Sequence, residues 1–334
     1  MTKTLRAYLN TSTCPYVATH TYESICPETF LFYPSKPEES EREAFIKSHS
    51  ERPGVWIMKP SDGCKGHSIS ITDSADDVLA SMDSQRDGSI AWVVQRYLDR
   101  PLLIPRGKRK FDIRVWVLLD ENYDIHVYGQ GALRVSAETY VPGSWQNIHA
   151  HLSNHCIAET HDNYGMYEPT NEIWYDEFED ILSSITDGRV SFHDHIIPRI
   201  HEIIKLTLLA VREQLKGGTS SAYRAFNVFG YDFMLTEARE DAGDSPGSEV
   251  GVYLLEINSS PAVADKLLPR FVDNLIALVV DRNFPPDQSD DGNVCGESVV
   301  APLDEDVSLS NGKFPEAFIT IYSDSTNNGN NNDV

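Results

Sequence analysis

The sequence predicts an α+β fold whose second half contains a mostly antiparallel sheet. Short apolar or alternating segments, typical of strands, come first along the chain. Two longer segments with helical spacing follow, and two further strand-like segments come after them. Strands and helices that are grouped in this way indicate an α+β protein, because α/β proteins alternate the two.

The first half of the chain contains most of the predicted strands. "KFDIRVWVLLD" alternates apolar and polar residues at its start, as a half-buried strand does. "TDSADDVLASM" has acidic capping residues before apolar positions at helical spacing, which predicts a helix. No element is predicted before Tyr33. The predicted elements here are strands at 54–60, 69–72, 91–98, 110–120, 124–129 and 131–136, and a helix at 72–82.

The second half contains the predicted helices, followed by two strands and an acidic tail. After Pro285 there are ten acidic side chains and one lysine, Lys313, which predicts disorder. The predicted elements are helices at 171–184, 193–215 and 264–284, with strands at 230–236 and 250–258. We therefore divide the chain into an N-terminal part with a central subdomain (1–99), a C-terminal subdomain (100–284) and a disordered tail (285–334).

Composition excludes several classes of protein. The net charge of −23 makes the chain a poor general binder of nucleic acid. No apolar run approaches the ~20 residues of a membrane helix, and no signal-peptide core is visible, so we expect a cytoplasmic protein that does not bind membranes. The five cysteines are scattered without a CxxC pair, which argues against a disulfide framework or a zinc ribbon. A monomer is the default expectation.

One basic segment stands out against this acidic background. Residues 96–114 carry seven basic side chains and only two acidic ones, Asp99 and Asp112. A local cationic strip on an acidic protein predicts one specific anionic ligand. Arg114 and Arg134 alternate with apolar neighbours, so each needs an anion. That anion is either internal, such as Asp112 or Glu138, or a phosphate or carboxylate ligand.

Glu256 and Asn258 lie on one face of an otherwise apolar strand, because side chains alternate along a strand. Asp232 lies on the strand that we expect to pair with it. Three oxygen ligands on adjoining strands would suit Mg²⁺. A solvated strand face would show the same spacing, and the spacing alone leaves the two interpretations equally open.

Two other polar segments have open interpretations. Lys59 precedes the loop "SDGCKGHS", whose glycines and Lys65 could bind phosphate, although an ordinary turn is favoured by the pattern alone. "HAHLSNHC" (149–156) gathers three histidines and a cysteine in a spacing that fits no structural zinc site. Polar packing around a ligand is the preferred interpretation of that segment.

Seven segments together resemble the tubulin–tyrosine ligase family, in the order and at spacings compatible with that family. The resemblance covers residues 26–286 and implies an ATP-grasp fold with ATP and Mg²⁺ as cofactors. The segments are "WIMKPSDGCKGHSI", "VVQRYLDRPLLI", "RKFDIRVWVLL", "GALRVSAETY", "HLSNHCI", "FNVFGYDFMLTE" and "LLEINSSPAVA".

The resemblance also implies roles for individual residues. Lys59, Arg114 and Arg134 would be catalytic, contacting phosphates and substrate carboxylates. The implied Mg²⁺ ligands are Asp232, Glu256 and Asn258. The implied nucleotide-binding residues are Lys59, Lys65, Gln95, Arg96, Tyr97, Leu98, Lys110, Asp112, Ser153 and Asn154.

Within the family, "HLSNHCIAETHDNYGMYEPTNEIWYDEF" resembles the tyrosine-adding branch. The implied reaction joins free tyrosine to the C-terminal carboxylate of detyrosinated α-tubulin through an acyl phosphate. The cationic strip would then steer the acidic tubulin tail, with Arg106, Lys108, Arg109 and Lys110 taking part. The alternatives are a tubulin glutamylase or glycylase, or a non-catalytic tubulin-binding module. Most of the family's N-terminal tubulin-binding domain is expected to be missing.

Overall fold

Two sheets organise the part of the chain that the computed structural model describes, which is residues 2–11, 20–63, 66, 68–85, 90–216, 225–237, 250–282, 300–301 and 313–324. The strands are β1 (Thr29–Phe32), β2 (Trp56–Pro60), β3 (Ser70–Thr72), β4 (Trp92–Arg96), β5 (Leu103–Ile104), β6 (Arg109–Leu119), β7 (Ile125–Tyr128), β8 (Ala132–Thr139), β9 (Glu172–Trp174), β10 (Asn227–Glu237), β11 (Val250–Asn258), β12 (Val300–Ala301) and β13 (Phe318–Tyr322). The α-helices are α1 (Thr2–Thr11), α2 (Arg42–Glu51), α3 (Ala75–Ser84), α4 (Ile148–His151), α5 (His155–Ala158), α6 (Tyr175–Ile185), α7 (Ile197–Ala210), α8 (Arg212–Lys216) and α9 (Leu268–Ile276). A short 3₁₀ helix occupies Pro37–Glu39, and π-helical turns at Phe192–Ile196 and Ala277–Asp281 adjoin α7 and α9.

The smaller sheet has the strand order β1-β4-β2-β3, and its pairs are antiparallel. One face packs against α2 and α3 around an aromatic cluster, in which the rings of Phe45 and Trp56 lie 5.0 Å apart. Ser74 caps α3 by accepting a hydrogen bond from the Asp77 amide, as its capping pattern predicts. Covering one face with helices leaves the other face available for a ligand.

The larger sheet has the strand order β11-β10-β6-β7-β13-β12, and β5, β8 and β9 extend it beside β6. Its strand pairs are antiparallel except for β12 with β13. The central strand β6 is buried along its whole length, and the main core contains buried residues of α6 and α7. The predicted α+β class, with a mostly antiparallel sheet in the second half, is confirmed.

The helix predicted at 264–284 is shorter in the structure, where α9 spans Leu268–Ile276, and two further predictions differ from it. The helix predicted at 171–184 begins only at Tyr175, because Glu172–Trp174 first pair with β8 as strand β9. The predicted disordered tail is wrong for residues 313–324, where β13 pairs with β7 and Phe318 is only 1% exposed. This segment contains only a few apolar residues within a long acidic and Asn-rich tail. The composition of the whole tail therefore predicted disorder and gave no sign of a strand. The remainder of the predicted tail, apart from Val300–Ala301, lies outside the described residues.

The chain passes from one sheet to the other between Arg96 and Leu103, where β4 ends and β5 begins. The division of the chain at residues 99 and 284 remains a prediction. Among the described helices, none has the length and apolar character needed to cross a membrane.

Candidate functional site

A cleft of about 600 Å³ lies between the two sheets. The smaller sheet contributes Lys59, and the larger one contributes polar side chains of β6, β8, β10 and β11. The loop before α5 lines it as well. The predicted site residues in its lining are Lys59, Lys110, Asp112, Arg114, Arg134, Ser153, Asn154, Asp232, Glu256 and Asn258.

The three predicted metal ligands come together in this cleft. Asp232 on β10 pairs directly with Glu256 on β11, and Asn258 lies two residues further on. The Asn258 Nδ2 atom is 3.2 Å from Asp232 Oδ2 and 3.4 Å from Glu256 Oε1. Rotating that amide by 180° would present its oxygen beside the two carboxylates. A set of two carboxylates and one amide oxygen fits Mg²⁺, which prefers oxygen ligands.

Arg114 and Arg134 bind internal aspartates, the first of the two alternatives that the sequence left open. Arg114 Nε donates to Asp232 Oδ1 at 2.5 Å, and Arg134 Nη2 lies 2.8 Å from Asp232 Oδ2. Arg134 Nε also donates to Asp112 Oδ1 at 2.7 Å. Ser153 donates its hydroxyl hydrogen to the other oxygen of Asp112. The result is a buried network of alternating charge at the base of the cleft.

The two aspartates of this network have pKa values shifted in opposite directions. Burial raises the pKa of Asp112 above its usual range. Burial acts in the same direction on Asp232, but the charges of Arg134 and Arg114 outweigh it and lower the pKa of that carboxyl. Asp232 is therefore ionised at neutral pH, as a metal ligand must be.

Two lysines contribute positive charge to the cleft. Lys59 Nζ donates to Gln95 Oε1 at 3.3 Å and lies 3.8 Å from Glu256 Oε2, so it contacts both sheets. Lys110 is only 4% exposed, and its Nζ donates to the Tyr97 hydroxyl at 2.7 Å. Burial, together with the charge of Lys59, lowers the pKa of Lys110 to about 7. A buried lysine in a cleft with such a pKa is typical of a functional site.

The implied nucleotide-binding residues at 95–98 do not all face the cleft. Gln95 is buried and contacts Lys59, and Arg96, Tyr97 and Leu98 line a second cavity of about 340 Å³. The Arg96 side chain, however, lies over the Trp56 ring and binds Glu28, on the side of the sheet that packs against α2. Alternation along β4 turns this side chain away from Lys59. The backbone of Arg96 remains available to a base, and the nucleotide-binding role implied for this residue stays a prediction.

The basic side chains of residues 96–114, the cationic strip, do not form one continuous surface in the structure. Arg109 is buried and pairs with Glu168, while Lys110 lies inside the cleft. Arg106 and Lys108 remain exposed. Sequence alone missed this because Glu168 lies nearly sixty positions from Arg109.

Gly66, in the loop after Lys59, lies close to Ile157 and Asn154. Gly66 has a φ of +77°, and a Cβ atom there would lie 2.5 Å from Ile157 Cδ1. Only glycine allows this close approach without strain. Lys65, the predicted phosphate ligand in this loop, lies outside the described residues.

Sequence reasoning missed a second set of polar residues at the cleft, which includes His151 and His155. His151 is 1% exposed, and its Nδ1 atom lies 2.8 Å from the Tyr97 hydroxyl that Lys110 contacts. Burial and the charge of Lys110 lower the pKa of His151 to about 4, so the ring is neutral. The buried Asn171 side chain holds a further histidine, since its Oδ1 atom lies 2.7 Å from His155 Nδ1. The cluster of histidines in 149–156 was the only sequence signal for these residues.

Comparison with known proteins identifies relatives that are named as tubulin-modifying enzymes. The chain is 27% identical over 238 residues to tubulin glycylase 3C of Tetrahymena thermophila, a match that covers 68% of this chain and 20% of that protein. It is 28% identical over 247 residues to tubulin glycylase 3A of Drosophila melanogaster, covering 70% and 23% of the two chains. It is 27% identical over 245 residues to tubulin monoglycylase TTLL3 of Danio rerio, covering 68% and 29%. The chain thus spans less than a third of the length of these relatives.

The family model for the tubulin-tyrosine ligase family matches residues 6–292. This range contains both sides of the cleft and each of the predicted site residues. The two-sheet α+β architecture agrees with the ATP-grasp fold that the resemblance implied. The chain belongs to the tubulin-tyrosine ligase family.

Proposed function

We propose that this chain is the catalytic part of an ATP-dependent ligase that attaches glycine to a carboxylate of tubulin. The observation that carries the proposal is the cleft itself. It brings an oxygen-ligand set, two lysines and two arginines together between two sheets. Those groups suit a reaction in which phosphate charge must be neutralised and a carboxylate held.

Glycine replaces tyrosine as the favoured amino acid. The tyrosine-adding branch was expected from the segment after "HLSN", but the named relatives are glycylases. The glycylase alternative therefore has the better support. Tubulin as the acceptor, and its acidic C-terminal tail as the docking segment, are part of this proposal.

The acceptor carboxylate is a poor acyl donor, because its leaving group would be oxide. Transfer of the γ-phosphoryl group of ATP converts the acceptor carboxylate into an acyl phosphate, and an amine can displace the phosphate. Mg²⁺, held by Asp232, Glu256 and Asn258, would supply charge neutralisation for this transfer when bound. Lys59 and Lys110 would position the phosphates and adjacent parts of the nucleotide.

Arg114 and Arg134 would orient the acceptor carboxylate beside the nucleotide. Each guanidinium uses Nε and Nη2 for its bonds to the aspartates, and Nη1 would be the nitrogen that contacts an anionic substrate. The internal pairing also fixes both guanidinium groups before substrate arrives. Preorganised charge of this kind lowers the cost of reorganisation during the reaction.

The test is incorporation of radiolabelled glycine into tubulin with Mg-ATP, with tyrosine and glutamate in parallel reactions. Incorporation of glycine alone would support the proposal. Tyrosine or glutamate incorporation would assign the chain to another branch. ATP binding without incorporation of any amino acid would favour a non-catalytic tubulin-binding module.

Glu256→Gln is the variant that tests the oxygen-ligand set. The amide keeps the shape but removes the charge, so we expect ligation to fall by at least about 100-fold. Glu256 is about 40% exposed on its side chain, so the fold should tolerate the change. Glu237→Gln is the matched control, because Glu237 ends β10 at an exposed pair with Arg100. Full activity of Glu256→Gln would contradict the assigned ligand set.

A further inference from the structure

The hydrogen bonds of Asn171 determine which ring nitrogen of His155 carries the hydrogen in the neutral ring. Asn171 is 4% exposed, and its Nδ2 atom donates to the carbonyl oxygens of Val135, at 3.3 Å, and Ser153, at 3.2 Å. The amide nitrogen must face these two acceptors, so the amide oxygen must face the histidine ring. That oxygen lies 2.7 Å from His155 Nδ1. Since an amide oxygen only accepts, Nδ1 must carry the hydrogen.

In the neutral ring, Nε2 then carries the lone pair. The His155 side chain is about 45% exposed and lines the cleft together with Ser153, Asn154 and Arg134. A histidine with one nitrogen anchored by a buried amide, in a side chain that lines a cleft, has the geometry of a general base. Nothing in the nucleotide-binding set uses this ring.

The acidic groups around Nε2 would attract a positively charged part of a substrate. Glu159 Oε2 lies 3.7 Å from Nε2, and the Tyr164 hydroxyl lies 3.5 Å away. Glu172, which pairs with Arg134 across β8 and β9, is also close enough to interact with the ring charge. Burial raises the pKa of Glu172, with Asp265 adding to the effect. These carboxyl groups form an acidic margin that would attract an ammonium group.

We infer that His155 is the base that deprotonates the incoming amino acid, held in position by Asn171. This inference rests on the proposed ligase function. One proton moves from the substrate ammonium to Nε2, and the resulting amine attacks the acyl carbon. A C–N bond forms, the C–O bond to phosphate breaks, and phosphate leaves with the electron pair. The second proton leaves the nitrogen with the departing phosphate or to water.

The test compares two nucleophiles in His155→Gln. Glycine must lose a proton before it attacks, whereas hydroxylamine is already uncharged at neutral pH and needs no base. With ATP and tubulin, we expect glycine transfer to fall by about 10²- to 10⁴-fold. Hydroxamate formation from hydroxylamine should stay within about threefold of the wild-type rate. His161→Gln is the matched control, because His161 pairs with Glu138 and does not line the cleft.

The outcomes separate this inference from the proposed function. Equal loss with both nucleophiles in His155→Gln would mean that the ring acts on nucleotide or acceptor, and would overturn the inference. Unchanged glycine transfer would overturn it as well. If the wild-type chain forms neither product, the proposed ligase function fails and the inference fails with it.

The pH dependence provides an independent readout. Without the base, glycine transfer depends on the small fraction of free amine, which grows tenfold with each pH unit. We expect the His155→Gln rate to rise about tenfold per unit between pH 7 and 9, and the wild-type rate to rise less. The titratable groups that face the ring are Glu159, Tyr164 and Glu172, and Arg134 and Asp265 act on Glu172 in turn. Parallel pH profiles for the two proteins would contradict a role for His155 as base.

Discussion

At the scale of single residues, the buried Lys110 is a basic group whose charged form destabilises the folded protein. Lys110 is buried beside Lys59, and both burial and that charge lower its pKa to about 7. In the unfolded chain its pKa would be near the ordinary 10.5. The unfolded state therefore binds more protons between these two values, and this lysine destabilises the folded protein most below pH 7.

Lys110→Met should stabilise the nucleotide-free protein while weakening nucleotide binding. The gain in unfolding free energy over the wild type should be largest near pH 6. It should shrink as the pH rises from 7 to 10, because the folded-state lysine is then already neutral. Urea denaturation at pH 6, 8 and 10 measures this difference, and an ATP-binding assay measures the loss. A difference that does not change with pH would contradict the buried-charge explanation.

Much of the site could be predicted from sequence at this scale, since strand alternation places Asp232, Glu256 and Asn258 on one face. Contacts between distant segments could not be predicted from the sequence. The Arg109–Glu168 pair and the Asn171–His155 bond join residues that only the folded chain brings together. Alternation also explains why the Arg96 side chain turns away from Lys59, although its place next to Gln95 suggested a ligand role.

At the scale of elements, β13 completes the larger sheet from the far end of the chain. Phe318 packs against the rings of Tyr128 and Phe271, at centroid distances of 5.2 and 5.3 Å. The segment is also anchored at its end, where Asp124 accepts hydrogen bonds from the Ser323 hydroxyl and the Asp324 amide. β13 covers the edge of β7 and is therefore part of the folded unit.

Phe318→Ala should lower the unfolding free energy by about 3–5 kcal/mol, because it removes a fully buried aromatic ring. Phe226→Ala provides the control, since Phe226 is 48% exposed and should lose less than about 1 kcal/mol. Denaturant unfolding of both variants measures the difference. Similar small losses in the two proteins would show that β13 contributes little to stability.

Most elements could be predicted because their periodicity is local. The strands of both sheets follow apolar alternation or short apolar runs, and α3 follows a capping pattern. β9 could not be recognised, since three residues are too few to show a period and they lead directly into α6. α1 and β1, in the N-terminal part left unassigned, gave no clear signal either.

At the scale of the whole molecule, the two sheets contribute different parts of one site. Lys59 belongs to the smaller sheet, and the oxygen ligands belong to the larger one. A nucleotide held by both would join them more firmly than the 3.8 Å contact between Lys59 and Glu256 does. Ligand binding should therefore stabilise the protein as a unit.

Saturating Mg-ATP should raise the melting temperature by several degrees. At 100 times the dissociation constant, binding contributes about 2.7 kcal/mol. Lys59→Met should remove most of this shift by weakening the phosphate contact. Lys36→Met is the control, because the Lys36 side chain is 60% exposed, pairs with Glu39 on the surface and does not line the cleft. Thermal unfolding with and without Mg-ATP measures the melting-temperature shift of both variants. A shift in Lys59→Met as large as in the wild type would contradict the role of Lys59 in nucleotide binding.

The pairing of β13 with β7 also sets a limit on folding during synthesis. Phe318 pairs with Tyr128, 190 positions earlier in the chain. At ribosomal rates, roughly 10–40 s separate the appearance of these two strands. During that interval the nascent chain exposes an unpaired edge at β7, which can recruit other extended chains. Protection of this edge by chaperones during that interval should therefore raise the yield of soluble protein.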